Sequence, residues 1–313
     1  MAAGGSGGKQ PLIVICGPTA SGKSALALAL AETLPMEIIS ADSRQVYRYM
    51  DIGTAKPTGA DRSSAPHHLI DVVDPDEDFT AADFCRLGRE AVGAIASRAA
   101  LPVVVGGTGL YIRALTDGLL PAPGRDRDLR RRLLEREKSE GEGSLHRHLQ
   151  EADPPLAQRL PPGDLVRIVR ALEVFHLAGR RLSELQAEHA REKKPFRTLK
   201  IAIGPEREEL YRKIDARVEE MLRRGLVGEV RSLLEKGYSP TLKALRTIGY
   251  QEVIQHLDGR LSLEEAVALI QRNTRRYAKR QFTWFKKDKS IIWVDSSREF
   301  VKIQSLIGHF MDD

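Results

Sequence analysis

Gly17-Pro18-Thr19-Ala20-Ser21-Gly22-Lys23-Ser24 follows an apolar run, PLIVIC (11–16), and leads directly into the helical pattern ALALALAE (25–32). The eight residues fit G-x-x-x-x-G-K-[ST] in the setting that pattern needs, after a strand and opening a helix. Glycines let successive backbone N–H groups turn inward around an anion, and the helix N-terminus adds partial positive charge. Lys23 supplies a full charge to phosphate oxygens, and the Ser24 hydroxyl can ligate Mg²⁺. No other stretch restricts the fold as strongly, because a strand, a tight loop and a helix in this order demand an α/β protein. The loop specifies a phosphate and leaves the reaction open.

The rest of the N-terminal part agrees. MEIIS (36–40), HLIDVV (68–73) and LPVVVGG (101–107) read as further strands, and residues 22–34 and 80–98 as helices. Strands separated by helices predict a parallel sheet covered on both faces, a P-loop NTPase-like α/β fold. From Pro121 the texture changes to alternating charge without strand-like runs, so 121–197 is expected to be a helical insertion domain. LKIAIG (199–204) and IIWVD (291–295) restore strands, so the core is expected to comprise 11–120 and 198–313. Three long helical patterns lie between those strands, one of them running unbroken from Ile214 to Gly237. Residues 1–10, MAAGGSGGKQ, read as a disordered tail without the basic start and apolar stretch of a secretory signal.

Composition removes several classes. Two cysteines, Cys16 and Cys85, exclude a disulfide framework and a four-thiolate zinc site and fit a reducing cytoplasm. No apolar run approaches the roughly 18 residues of a membrane span. Forty-nine Lys plus Arg against 43 Asp plus Glu give +6, a mild excess that hints at nucleic acid.

Asp42 follows the strand MEIIS, beside the strand feeding the phosphate loop, where a carboxylate can take a proton from a nucleophile. Asp42 with Gln45 three residues on also resembles a helix N-cap with its capping-box partner. The strand LPVVV ends in Gly106-Gly107-Thr108-Gly109 instead of a metal-holding Asp, and Asp71 and Asp74 are imperfect substitutes. A small-molecule kinase and an enzyme whose substrate carries a diphosphate both remain open. His67 and His68 are expected to be structural. Arg272, Arg275, Arg276, Lys279, Arg280, Lys286 and Lys287 form the strongest basic run, interleaved with Tyr277, Phe282 and Trp284. Such a run is either a solvated helix over core aromatics or a surface where aromatic faces stack on RNA bases.

GPTASGKS (17–24), SADSRQVYRYMDIGTAKP (40–57), HHLIDVVDPDEDFTAADF (67–84), GGTGLY (106–111), RIVRALEVF (167–175), GRRLSELQ (179–186), RTIGYQE (246–252) and AKRQFTWF (278–285) together resemble the tRNA dimethylallyltransferase family, in order along nearly the whole chain. Arg181 in GRRLSELQ stands where that family commonly has proline. With no cysteine pair after IIWVD for the zinc finger often carried by eukaryotic members, the chain is similar to the bacterial form.

The resemblance implies transfer of a dimethylallyl group from dimethylallyl diphosphate to N6 of the adenosine just 3′ of the anticodon, with Mg²⁺, in a cytoplasmic monomer that does not engage a membrane. It implies that the loop 17–24 holds the diphosphate, with Thr19 near its bridging oxygen, and that Asp42 is the base. Thr108 resembles a tRNA-contacting threonine, although a turn hydroxyl would look the same. Arg217 corresponds to an arginine that reaches the diphosphate, against the rival of a solvated helix face. Family tRNA contacts fall on Asp42, Ser43, Arg44 and Gln45, on Thr108 and on Arg130. Further contacts fall on Val166, Arg167, Ile168, Val169 and Arg170, and on Arg246, Thr247, Ile248, Gly249 and Tyr250. The last group is Lys279, Arg280, Gln281, Phe282, Thr283, Trp284 and Phe285. The insertion is expected to clamp the anticodon stem-loop.

Overall fold

Strands β1 (Pro11–Cys16), β2 (Met36–Ser40) and β4 (Leu101–Gly106) are Val/Ile/Leu-rich along almost their whole length, as strands buried on both faces must be. They join β3 (His67–His68), β5 (Arg197–Ile203) and β6 (Ile291–Val294) in one sheet of order β3-β2-β4-β1-β5-β6, every pair parallel. The computed structural model describes residues 9–295 and 299–312. Helices α1 (Lys23–Ala31), α2 (Gly59–Ser64), α3 (Ala81–Ser97) and α4 (Gly109–Asp117) alternate with the first strands. Helices α5 (Arg127–Glu140), α6 (Ser144–Ala152), α7 (Pro154–Ala157), α8 (Leu165–Ala178) and α9 (Leu182–His189) precede β5. After it come α10 (Arg207–Arg223), α11 (Leu226–Glu235), α12 (Tyr250–Leu257), α13 (Leu263–Phe285) and, beyond β6, α14 (Phe300–Asp312).

The two-residue period of a strand sorts the sheet into two cores. Leu12, Val14 and Cys16 join Val104 and residues of α3, α4 and α10–α13, such as Phe84, Tyr111, Val218 and Ile270. Ile13 and Ile15 face the opposite way, into Leu26 and Leu30 of α1 and Ile303 and Ile307 of α14. Helix α3 begins where the sequence marks it. Thr80 accepts from the N–H of Ala82 and Asp83, and the Asp83 carboxylate accepts from Thr80 N–H at 2.9 Å, closing a capping box.

The chain divides into two compact units, Met1–Gly118 with Pro195–Asp313, and Leu119–Lys194. The second has its own core of Leu133, Leu145, Leu149, Ile168, Val169 and Leu172. Glu173 is fully buried there. It accepts from Arg130 at 2.7 and 2.8 Å, from Arg170 at 2.6 Å and from the N–H of Asp126 at 2.8 Å. Burial raises its pKa, but these donors outweigh burial and leave it at about 2. Two corrections follow. The Ile168 and Val169 side chains are core and cannot meet RNA. The Arg130 and Arg170 guanidiniums are held by Glu173 before any phosphate arrives.

Other expectations shift for local reasons. HLIDVV is a strand only at His67–His68, because Leu69 and Asp71 take positive φ of 62° and 57° and end the extended run. The continuous helix expected over 214–237 breaks at Gly225, whose φ of +96° separates α10 from α11. The boundary placed at 197 falls inside the sheet, since Arg197 opens β5 and pairs with Pro11. Residues 1–8 of the expected tail lie outside the described residues, while Gln10 O already accepts from Arg197 N at 3.1 Å. Helix α14 had no counterpart in the sequence reading.

Removing the Glu173 carboxylate strands two arginines, so Glu173→Ala should destabilise the helical unit by about 3 kcal/mol. In the parent protein the folded pKa lies below the ordinary 4.5, so this stabilisation is fully present above about pH 4.5. It is lost as pH falls towards 2. Hydrogen exchange of α5 and α8 in the full chain checks both, and unchanged protection in Glu173→Ala contradicts the assignment.

Candidate active site

The carboxyl ends of β1, β4 and β2 deliver three loops to one edge of the sheet, the usual ligand crevice of an open parallel sheet. One expectation needs correction here. Asp42 does not lie beside the strand feeding the phosphate loop, because β4 runs between β1 and β2 and inserts the Gly107–Thr108 turn between acid and cradle. The loops enclose a cavity of about 370 Å³. Thr19, Lys23 and Ser24 line it from the phosphate loop, Asp42, Ser43, Arg44 and Gln45 from the β2 loop, and Gly106 and Gly107 from β4. Arg217 of α10, Arg246–Gly249, and Tyr277, Arg280 and Gln281 of α13 complete the polar wall.

Within the phosphate loop, Gly17 has a φ of +133°, and a Cβ there would fall 2.6 Å from Ile203 O, so only glycine fits. Lys23 Nζ folds back and donates to Pro18 O at 2.5 Å. Burial, and then the Arg217 guanidinium, pull its pKa down to about 8, while Asp42 pulls it up. Arg217 is itself lowered by burial and raised by Asp42. Arg217 is half-buried and lines the cavity, which rules out the solvated helix face as its reading. Ser24 is exposed to the cavity.

Asp42 is not a helix cap. No helix follows it, and its Oδ1 accepts from Arg44 N at 2.8 Å in a local turn. Gln45, its supposed partner, accepts from Ser40 Oγ at 2.9 Å and donates to the carbonyls of Thr54 and Ala55. Thr108 stands just behind the wall. Its hydroxyl accepts from Ser43 N at 3.0 Å, and its N–H donates to Ala41 O at 3.1 Å. Burial, with Asp42 adding to it, pushes the Tyr277 phenol up to about 12. The Thr247 hydroxyl is buried at this wall without a partner in the protein.

Several residues expected to touch RNA are structural instead. Tyr250 is fully buried and its hydroxyl donates to Glu229 at 2.6 Å. Phe285 is core. Phe282 stacks on Trp293 with centroids 5.3 Å apart. Arg275 is paired with Asp215 at 2.6 Å. Gln281 is buried and turned inward. Arg272, Arg276, Lys279, Arg280 and Trp284 remain exposed on α13, as do Val166 and Arg167 on α8. His67 Nδ1 meets Ala65 O at 2.7 Å and His68 Nε2 meets Glu37 at 2.6 Å, both structural contacts.

Two features escaped the sequence reading. Ile214, Val218 and Met221 of α10, with Ile270 of α13, give the cavity an apolar wall. Their i, i+4, i+7 spacing on α10 was a usable signal, but it reads equally as ordinary core. Glu229 of α11 accepts from the N–H groups of Asp51, Ile52 and Gly53 at 2.8, 2.7 and 3.1 Å, which fixes the Gly53–Thr54 part of the wall. No local signal marked it.

Residues 45–288 match the IPP transferase family and residues 10–71 the isopentenyl transferase family. The tRNA dimethylallyltransferase 1 of Syntrophotalea carbinolica is 59% identical over 303 residues, which cover 97% of this chain and 96% of that relative. The tRNA dimethylallyltransferase of Geobacter metallireducens is 54% identical over 302 residues, 96% of this chain and 98% of its own. Among solved structures, the full-length tRNA isopentenylpyrophosphate transferase of Bacillus halodurans matches with TM-score 0.73 and 38% identity over 97% of each chain. A eukaryotic dimethylallyltransferase described as acting on tRNA matches with TM-score 0.79 and 29% identity, over 93% of this chain and 75% of that one.

With Lys23 near pH 8, its ammonium faces the cavity below that pH and a neutral amine above it. The affinity for inorganic diphosphate should therefore fall as pH rises through about 8, and Lys23→Met should bind weakly without that step. Calorimetric titrations across this range check it. An identical step in Lys23→Met assigns the titration to another group.

Proposed function

The chain belongs to the IPP transferase family, and on that premise we propose that it transfers a dimethylallyl group from dimethylallyl diphosphate to N6 of the adenosine 3′ of the anticodon in tRNA, releasing diphosphate. One observation carries this reading. A single cavity brings together a cationic anion cradle, an apolar wall of Ile214, Val218, Met221 and Ile270, and the Asp42 carboxylate. A phosphoryl-transfer site has no need of the apolar wall, whereas a five-carbon allyl group attached to a diphosphate uses both halves of the cavity.

In the reaction the bond between the allylic carbon and the diphosphate oxygen breaks, and that carbon joins N6. Lys23, Arg217 and the loop amides neutralise the charge that grows on the leaving diphosphate, already oriented before it appears. The Thr19 hydroxyl is the group of that residue left to approach the bridging oxygen, since its N–H is engaged by Gln281. The exocyclic amine is a weak nucleophile, and Asp42 takes its proton as the new bond forms. Thr108, linked to Ser43, holds the acceptor side of the site.

Mg²⁺ fits what the cavity offers. The exposed Ser24 hydroxyl is a hard oxygen donor, and among the described residues no group of three or more His, Cys, Asp or Glu forms a metal cage. That combination suits an ion held by one protein oxygen together with diphosphate oxygens. When bound, it adds charge neutralisation on the leaving group.

The target base must leave the stacked loop to enter a cavity of this depth. Arg272, Arg276, Lys279 and Arg280 supply exposed cations for the RNA backbone, and Trp284, 43% exposed, supplies the free aromatic face. In the helical unit, considered by itself, Arg167 is a further exposed cation. On this reading the chain acts as a monomer. No helix among the described residues is long and apolar enough to cross a membrane.

Purified protein with dimethylallyl diphosphate, Mg²⁺ and unmodified tRNA should yield N6-dimethylallyl adenosine by nucleoside mass spectrometry. Asp42→Ala should lose about 10²–10⁴ in rate while still binding tRNA. Movement of the γ-phosphate of ATP to an acceptor, with tRNA unmodified, sinks the reading.

A further inference from the structure

Helix α13 carries opposite chemistry on its two faces. Arg272, Arg276, Lys279 and Arg280 are exposed, while Ile270, Thr274, Tyr277 and Gln281, spaced by four, three and four residues, line the cavity. Gln281 is only 6% exposed, and both ends of its amide are used. Its Oε1 accepts from Thr19 N at 2.8 Å, and its Nε2 donates to Gly107 O at 2.8 Å. A primary amide long enough to span the gap is the chemistry this requires, since it offers an acceptor to one loop and a donor to the other. Gly107 completes the contact, because a Cβ there would fall 2.2 Å from Gln281 Nε2. One turn earlier, Tyr277 lines the same cavity. A single helix therefore grips the loop after β1 and the loop after β4.

The bond to Gln281 also turns the Thr19 N–H away from the anion and fixes the middle of the phosphate loop. We propose that Gln281 is a positioning residue: it clasps Thr19 to Gly107 so that the diphosphate cradle and the acceptor side of the cavity stay at reacting distance, and it ties that distance to the helix whose outer face is basic. This rests on the transferase reading above. It also moves Gln281 from the RNA contacts expected of it to the donor side of the site. Misplacing reacting groups by about 1 Å costs on the order of a hundredfold in rate, so an error in this clasp appears in kcat before it appears in RNA binding.

The test compares Gln281→Met, Gln281→Glu and Gly107→Ala with the parent protein. Gly107→Ala displaces the same amide from the opposite loop and leaves α13 intact, which covers the case in which a Gln281 variant does not fold. Thermal unfolding, tRNA affinity, kcat and donor KM, and calorimetric affinity for inorganic diphosphate are read for each. The clasp predicts folded variants with unchanged tRNA affinity, kcat lower by about ten- to a hundredfold, and diphosphate binding weaker by about fivefold or more. Gln281→Glu keeps the acceptor for Thr19 but loses the donor and adds negative charge, so its diphosphate affinity falls furthest. Folded variants that keep both kcat and diphosphate affinity overturn the proposal, and a loss confined to thermal stability does the same. If the parent protein leaves tRNA unmodified, the proposed function fails, while the diphosphate titrations still decide whether the clasp shapes the cradle.

Discussion

Two half-buried cations, Lys23 and Arg217, line the same cavity as the Asp42 carboxylate at the sheet's edge, and the surrounding structure is arranged around that imbalance. Burial lowers the pKa of both Lys23 and Arg217, the Arg217 guanidinium lowers Lys23 further, and Asp42 pulls both back up. An unpaired charge held away from water is costly, so the site in this form is primed for an anion. A diphosphate bound there would face both cations at once and keep Lys23 charged to higher pH. Lys23 comes from the helix after β1, Asp42 from the loop after β2 and Arg217 from α10, so the cradle exists only when the sheet order and the α10 packing are both correct.

Position then divides the labour. Because β4 separates β1 from β2, the donor's phosphates and the proposed base stand on opposite sides of the Gly107–Thr108 turn. That separation matters chemically. A carboxylate beside the leaving group would repel the charge developing there, while one on the far side can receive a proton without opposing it. The backbone locks around the β2 loop serve the same end. Lys56, buried, donates to Asp51 at 2.7 Å, to Asp71 at 2.5 Å and to Tyr47 O at 2.6 Å, and Glu229 gathers the N–H groups of 51–53. These bonds tie down an irregular segment that includes positive φ at Tyr49, Ala55, Leu69 and Asp71.

The sequence was most legible where a local rule acts alone. The phosphate loop, the largely apolar strands and the helix start at residue 80 are each set by neighbours within a few residues, and the sheet followed from them. It was least legible where a tertiary partner decides the outcome. Phe282, Phe285, Tyr250, Ile168 and Val169 sit inside motifs shared with a family, and a motif does not reveal which of its side chains face inward. Burial sorts them, and burial depends on Trp293, Glu229 and the second core. The same limit explains Glu229 and Arg217. Each lies on a charged helix where sequence spacing gives several equivalent candidates, and only the fold chooses one. Helix α14 was missed because its role is to cover α1 and β1, a need visible only once the sheet has two faces.

The strand that most distinguishes this site from a phosphoryl-transfer machine is β4. Where an ATP-hydrolysing protein would present a metal-holding acid, this chain presents Gly106 and Gly107, with Thr108 opening α4. Gly106 leaves room for the Ala41 backbone, and the room at Gly107 is filled by the Gln281 amide. The acid of a nucleotidase and the amide seen here occupy the same crevice edge but do opposite things. The acid would recruit a cation towards the phosphates, whereas the amide joins two loops without adding charge. A cradle kept cationic in this way, walled on one side by aliphatic carbons, favours departure of a diphosphate from an alkyl group over attack on a phosphorus atom.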